Sequence, residues 1–196
     1  EENNILDPLR GAAAELFGEP EVSQIPPEET ALLQAMEKYK DDPAGLKDWI
    51  MKDIDILCVG EVLVDFIGHQ TGVLINNTRD YHRYLGGSPA NVAMNSARLG
   101  LKSVMVATVG NDGFGEYIFE RLNEVGVNTN HVKKIKNKPT SVIFVSRTDS
   151  TPDFIPFRKA DSYIIEDQIS RDLLSKTTIF HTTCFALSKN PAQTTI

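Results

Sequence analysis

The sequence is poor in cysteine and has no long apolar segment, and each shortage excludes a class of protein. Its two cysteines, Cys58 and Cys184, lie in strand-like apolar runs without the spacing of a metal site or a disulfide framework. We therefore expect two buried free thiols and a reducing, cytoplasmic location. No run of about 18 consecutive apolar residues occurs, so no membrane span is expected. The first residues, Glu1-Glu2-Asn3-Asn4, also lack the basic and apolar regions of a secretory signal.

The sequence also lacks an excess of basic residues, because its formal net charge is -7. Residues 1–53 carry 13 acidic and 5 basic side chains, a net of -8, which leaves 14 acidic and 15 basic residues, a net of +1, in the remainder. Phosphate backbones would repel such an acidic segment, so nucleic acid is not an expected partner. With 41% apolar residues among 196, the chain has enough apolar material for a globular core.

Residues 1–53 are predicted to form short helices separated by helix-breaking residues. Asp7-Pro8, Pro26-Pro27 and Asp42-Pro43 each place a proline where a helix can begin. This segment contains no phosphate loop and no metal-ligand spacing. We interpret it as an acidic helical extension of unknown role that packs on the main domain or on a partner.

From residue 54 onward, buried strands alternate with amphipathic helices. Residues 54–59 and 104–109 are predicted as strands, and helices are predicted from Ser88 to Gly100 and from Phe114 to Val125. This order predicts an α/β fold with a mostly parallel sheet flanked by helices.

Two further apolar runs fall outside the alternation and predict a small separate sheet. They are residues 73–75 and 141–146. A late strand is expected over residues 179–185, and another helix is expected from Ser188. The sequence stops at Ile196, about two turns into that helix, where a complete domain is not expected to end.

Four segments contain side chains that could bind a polar small molecule. Asp65 interrupts an apolar run and offers only acceptors, which suits sugar hydroxyls, although it could instead cap a turn at a strand end. Gly86 and Gly87 would let a ligand approach bare backbone, with Asn91 near the start of the next helix, although the glycines could serve the turn alone.

The other two segments carry weaker signals. The loop over residues 110–115 matches neither the dinucleotide fingerprint nor a phosphate loop, so a structural turn is favoured. Arg158 could bind a carboxylate or hydroxyls, or it could be a solvated arginine at a strand end. The four histidines are scattered without zinc-binding spacing, so no metal site is expected.

Taken in order, several motifs resemble the N-terminal part of the ribokinase-like (PfkB) carbohydrate kinases. The resemblance covers residues 54–196 and is strongest to the fructokinases. The matching residues are Gly60-Glu61-Val62-Leu63-Val64-Asp65, Leu85-Gly86-Gly87-Ser88-Pro89-Ala90-Asn91-Val92-Ala93, Ala97-Arg98-Leu99-Gly100, Val109-Gly110-Asn111-Asp112-Gly113-Phe114-Gly115, Gly126-Val127-Asn128-Thr129 and Pro139-Thr140.

The resemblance implies ATP-dependent phosphorylation of a sugar hydroxyl, with Mg²⁺. It implies that Asp65 and Asn91 bind the sugar, that Gly86 and Gly87 let it lie against backbone, and that Arg158 contacts its far end. Lid strands at about residues 69–84 and 139–158 would cover the sugar and could also join two copies in a homodimer.

The family's catalytic Gly-Ala-Gly-Asp segment and its Asn-x-x-Glu motif do not occur in residues 1–196. The catalytic base is therefore expected beyond Ile196, and this chain alone is expected to be inactive, because phosphoryl transfer needs positioning and charge stabilisation. The alternatives are a ketodeoxygluconate or dehydro-deoxygluconate kinase, or a non-catalytic sugar-binding or scaffold module.

Overall fold

The computed structural model describes residues 27–45, 52–148 and 151–196. The chain divides into two units, Glu1–Met51 and Lys52–Ile196. In the first unit, helix α1 spans Pro27–Lys38, inside the second predicted helical segment. At the third, Gly45 N donates to Asp42 Oδ1 at 2.9 Å. The helix predicted at Asp7-Pro8 lies outside the described residues.

The second unit contains two four-stranded sheets and short helices. The strands are β1 Ile54–Val59, β2 Leu63–Thr71, β3 Tyr81–Gly86, β4 Ser103–Gly110, β5 Asn128–Ile135, β6 Val142–Arg147, β7 Phe154–Phe157 and β8 Thr177–His181. The helices are α2 Ser88–Arg98, α3 Gly113–Glu124, α4 Arg171–Ser175 and α5 Ala192–Thr195.

The main sheet has the strand order β5-β4-β1-β8, and each of its neighbouring pairs is parallel. Its central strands are buried on both faces, which is why they appear in the sequence as continuous apolar runs. On one face, Cys58 and Met105 pack with residues of α2 and α3. On the other, Leu57 and Val106 pack with Ile164 and Leu173. The predicted parallel sheet flanked by helices is thus confirmed.

The second sheet, which we call the lid, has the order β3-β2-β6-β7. Strand β2 pairs antiparallel with β3 and parallel with β6, and β6 pairs antiparallel with β7. The lid therefore begins at Leu63, earlier than the predicted boundaries of about 69–84 and 139–158. The lid includes the apolar run around Asp65, because that run pairs with β3 on one side and with β6 on the other.

Several local predictions were wrong. Residues 73–75 form no strand, since Ile75–Asn77 is a short 3-10 helix, and β8 ends at His181 instead of continuing to Phe185. Cys184 therefore lies in a turn and is exposed. Cys58 is buried as expected, and burial raises its pKa to about 12, which keeps the thiol protonated and inert.

Strand β5 was missed altogether, because its alternating polar residues resemble an exposed loop. It is an edge strand of the main sheet, exposed along one side, and therefore tolerates polar side chains.

Within the described residues, no helix combines the length and the apolar character needed to cross a bilayer.

Candidate functional site

Strand pairing places Asp65 inside β2, as its third residue, so it does not cap a strand end. Asp65 lies opposite Tyr84 of β3 and Ile143 of β6, and alternation gives the lid an Asp65 face and a Phe66 face. Phe66 meets Phe114 of α3 edge-on, with ring centroids 5.6 Å apart, and packs against the core. Helix α3 therefore packs against the Phe66 face, and the Asp65 face is the one that α3 leaves free.

Gly86 makes room for the carboxylate of Asp65. A Cβ at Gly86 would lie only 2.3 Å from Asp65 Oδ2 and 2.4 Å from its Cγ. The bare backbone and the carboxylate are therefore in direct contact, although 21 residues separate them in the sequence. The two strongest predicted site residues thus form one surface.

Gly87 sits where the chain turns from the lid into α2. Its φ is +101°, a backbone conformation that favours glycine. A Cβ at this position would also lie 2.4 Å from the carbonyl oxygen of Glu61. Glycine is required here for the turn and for the close approach of two backbones, which supports the structural interpretation of this residue. A ligand contact at Gly87 stays a prediction.

Glu61 is a residue whose contribution the sequence reasoning missed. Only 3% of it is exposed. Its Oε1 accepts from Ser88 N at 3.2 Å and its Oε2 accepts from Thr183 Oγ1 at 2.7 Å. The carboxylate thus sits at the start of α2, where the helix dipole favours negative charge. It joins the ends of β1 and β8 to that helix.

Helix α2 begins at Ser88, where the sequence predicted its start. The N-cap is Gly87, without a side-chain cap, and Ser88 is already helical. Asn91 lies one turn into α2, where its N–H donates to Gly87 O at 2.9 Å, and it is exposed. Its amide remains a candidate for donating to and accepting from a ligand, as predicted.

Arg158 is far more committed to the fold than a solvated arginine would be. Its Nε donates to Asp161 Oδ2 at 2.7 Å, and its Nη1 donates to Phe185 O at 2.8 Å and to Ser188 Oγ at 2.5 Å. The guanidinium also stacks 3.9 Å from the centre of the Phe185 ring. Arg158 therefore ties the end of the lid to residues 185–188, and its predicted contact with substrate stays a prediction.

Asp112 anchors the same end of the lid as Arg158, because the start of β6 pairs with the end of β7. Its carboxylate caps α3 by accepting from Phe114 N and Gly115 N, and it accepts from both N and Oγ1 of Thr140, just before β6. Burial alone would raise the pKa of Asp112, but these four hydrogen bonds outweigh it and lower that pKa. The loop over residues 110–115 is thus a structural turn that holds the lid.

A cavity of about 740 Å³ lies on the Phe66 face, between Asp112, Phe114, Phe144 and Lys159. It is separated from Asp65 by the sheet itself. The size of a cavity therefore does not identify the predicted site on this chain. Two buried polar atoms at the end of β8, His181 Nε2 and Thr182 Oγ1, have no hydrogen-bond partner among the described residues.

The environment of Asp65 leads to a first prediction, on stability. Burial raises the pKa of Asp65, so the folded chain binds its proton more tightly than the unfolded chain does. The cost of ionisation is absent below the unfolded pKa of about 4 and fully present above the folded pKa. Asp65→Asn should therefore raise the free energy of unfolding at neutral pH, and the gain should disappear in acid.

Urea unfolding of wild type and variant at neutral and acid pH measures this difference. Asp167→Asn, which replaces an exposed carboxylate, is the matched control and should change little at either pH. A variant that is less stable than wild type at neutral pH would show that the carboxylate is stabilised within the folded chain.

Residues 53–195 match the family described as "pfkB family carbohydrate kinase". An ATP-dependent 6-phosphofructokinase of Thermoanaerobacterium thermosaccharolyticum is 37% identical over 145 residues, 74% of this chain and 44% of the relative. A 5-dehydro-2-deoxygluconokinase of Clostridium tetani is 29% identical over 148 residues, 72% of this chain and 43% of the relative.

Solved structures of sugar kinases are also similar to this chain. The structure of Halothermothrix orenii fructokinase superposes with a TM-score of 0.68 at 37% identity. The match covers 72% of this chain and 50% of that fructokinase. The sugar kinase PH1459 of Pyrococcus horikoshii, solved in complex with ATP, has a TM-score of 0.68 at 33% identity and covers 71% and 46%. The chain thus spans about half the length of the proteins it matches.

Proposed function

Because the chain belongs to the pfkB family of carbohydrate kinases, we propose that it is the sugar-binding part and lid of an ATP-dependent, fructokinase-like kinase that acts on a hexose or a related sugar. The observation that carries this proposal is the direct contact between the Asp65 carboxylate and the bare backbone of Gly86. Both lie on the face of the lid that α3 leaves free. A neutral polyol can place its hydroxyls against the carboxylate and its ring against the glycine.

Each residue has a stated part in this proposal. The ionised Asp65 accepts hydrogen bonds from sugar hydroxyls, and Asn91 supplies an amide at the start of α2. Arg158, which ties the lid to residues 185–188, would also contact the sugar. The lid excludes water and orients the reacting hydroxyl. It is also the surface through which two copies would form a homodimer, and the protein acts in the cytoplasm.

ATP and Mg²⁺ would supply the transferred phosphoryl group and its charge compensation. Within the part of the chain that the structure describes, no group of three or more His, Cys, Asp or Glu residues could hold a metal ion. We assign no step of the transfer to this chain. We propose that the chain alone binds sugar without releasing ADP.

A second candidate is a ketodeoxygluconate or dehydro-deoxygluconate kinase. The similarity to the Clostridium tetani enzyme supports it. Both candidates use the same hydroxyl-binding surface, so they differ in the group that the sugar carries elsewhere.

Calorimetry with fructose and with fructose 6-phosphate tests the proposed site. We expect Asp65→Ala to weaken binding about 10- to 100-fold, the effect of losing a hydrogen bond to a charged acceptor. Asp167→Ala is the control, since that carboxylate is exposed and lies outside the strands of the lid. Equal affinities for wild type and Asp65→Ala, or sugar-dependent ADP release by the purified chain, would contradict the proposal.

A further inference from the structure

The Asp65 face of the lid carries a group of nitrogen donors beyond Asp65. His69 lies on β2, His82 on β3 and Arg147 on β6, and we call them the lid cation cluster. His82 pairs with Ile67, two residues beyond Asp65 on the same strand. Arg147 is four residues beyond Ile143, the partner of Asp65 on β6. Strand alternation therefore turns all three side chains toward the face on which Asp65 lies.

The cluster lines a cavity of about 310 Å³. Ile67, Gly68 and Tyr84 complete its wall, and no acidic residue is part of it. The rings of His69 and His82 are 4.9 Å apart, and all three cluster side chains are exposed. In residues 52–148, where these side chains lie, none of them forms a side-chain hydrogen bond or an ion pair. A nearby carboxylate, Asp80, accepts from Gln70 at 3.0 Å instead.

Two histidines and one arginine around a cavity without an acidic residue favour the binding of an anion. Arginine presents a rigid fork that matches a phosphate or a carboxylate, and an imidazole N–H can donate in either protonation form. Two imidazoles without a carboxylate beside them are a poor site for a divalent metal, and the described residues hold no larger metal-binding group. The unused donors point into space that a ligand on the Asp65 face would reach.

The distance between Asp65 and His82 along the lid matches the length of a single ligand. A strand rises about 3.3 Å per residue, which puts the level of Ile67 and His82 about 7 Å beyond Asp65. That separation is comparable to the length of a hexose. A sugar whose hydroxyls are held at Asp65 would therefore present its other end to His82, and Arg147 lines the same cavity as His82.

We propose that the sugar carries an anionic group, a phosphate or a carboxylate, at the end away from Asp65, and that the lid cation cluster binds it. The inference rests on the proposed function and narrows it, because it excludes a neutral hexose as the preferred substrate. Tyr84 lies opposite Asp65 on β3 and also lines the cavity of the cluster.

Calorimetry on the full chain with fructose, fructose 6-phosphate and gluconate at constant ionic strength tests this inference. We expect at least one anionic ligand to bind about tenfold more tightly than fructose, as one exposed charge-assisted contact provides. The tighter of the two anions identifies the source of the charge. Arg147→Ala and His82→Ala should remove that advantage without changing the affinity for fructose.

Arg83→Ala is the matched control, since Arg83 neighbours His82 on β3 but lies on the opposite face, against Tyr117. Equal affinity for all three ligands, or a loss on Arg147→Ala that is the same for fructose and for the anions, would overturn the inference. Both of these results leave the role of Asp65 intact.

A second measurement needs no variant and does not depend on sugar binding. Titration of the wild-type chain with inorganic phosphate should shift the NMR signals of the His69 and His82 rings, and the shifts should saturate. Unchanged ring signals would refute the anion site. If the rings shift but Asp65→Ala leaves every sugar affinity unchanged, the proposed function fails and the anion site remains.

Discussion

Gly86→Ala is expected to weaken sugar binding strongly while the chain remains folded. The new Cβ would sit 2.3 Å from Asp65 Oδ2, so the carboxylate has to leave the surface on which it lies. Because the clash is with the end of a side chain and not with backbone, the free energy of unfolding should change little. Binding should weaken by about 100-fold, as expected when a charged acceptor for two hydroxyls is displaced.

Alanine variants of Gly87 and Gly113 serve as comparisons for Gly86→Ala. At Gly87, alanine would be strained by about 1–2 kcal/mol in the left-handed region and would also meet the Glu61 carbonyl oxygen at 2.4 Å, so Gly87→Ala should destabilise the chain itself. At Gly113, a Cβ meets nothing within 4 Å, so Gly113→Ala should alter neither property.

Calorimetry and urea unfolding of the three variants separate loss of the site from loss of the fold. Wild-type sugar affinity in Gly86→Ala would mean that the Asp65 carboxylate is not where the sugar binds.

Arg158→Met is expected to lower the free energy of unfolding by about 3–5 kcal/mol, the cost of leaving one member of a buried ion pair alone. The side chains of Arg158 and Asp161 are 4% and 0% exposed, and Nη2 lies 2.6 Å from Asp161 Oδ2. Ser141 Oγ also donates to Asp161 but carries no charge to balance it. Urea or thermal unfolding measures the loss.

A double variant and an exposed pair serve as controls for Arg158. Replacing both partners, as in Arg158→Met with Asp161→Leu, should restore much of the lost stability, because no buried charge is then left unpaired. Glu116→Gln breaks the Lys134–Glu116 pair, whose side chains are 32% and 58% exposed, and should cost less than about 1 kcal/mol. A loss in Arg158→Met no larger than in Glu116→Gln would show that the pair contributes little to the fold.

Several elements could be predicted because their signals are local. Strand β1 and helices α2 and α3 begin and end close to where apolar periodicity and glycine placed them. Burial of β1 and β4 on both faces requires uninterrupted apolar runs, and these are legible without any knowledge of partners.

Elements whose form depends on distant partners were predicted poorly. Strand β5 is polar because it is an edge, and residues 73–75 are apolar but pair with no neighbouring strand. The strand predicted over residues 179–185 breaks after His181, where Thr183 turns to donate to Glu61, 122 residues earlier. No local pattern contains the position of such a partner.

The sequence by itself determined the α/β class, the resemblance to the carbohydrate kinases and the identity of Asp65, Gly86 and Asn91 as candidate site residues, because residue type and spacing carry that information. Only the tertiary structure decided which face of the lid is free, that Gly86 accommodates the Asp65 carboxylate, that Arg158 is bound to Asp161, and that His69, His82 and Arg147 share one cavity. Those features arise from register and packing between segments far apart in the chain, where small shifts exchange one face for the other.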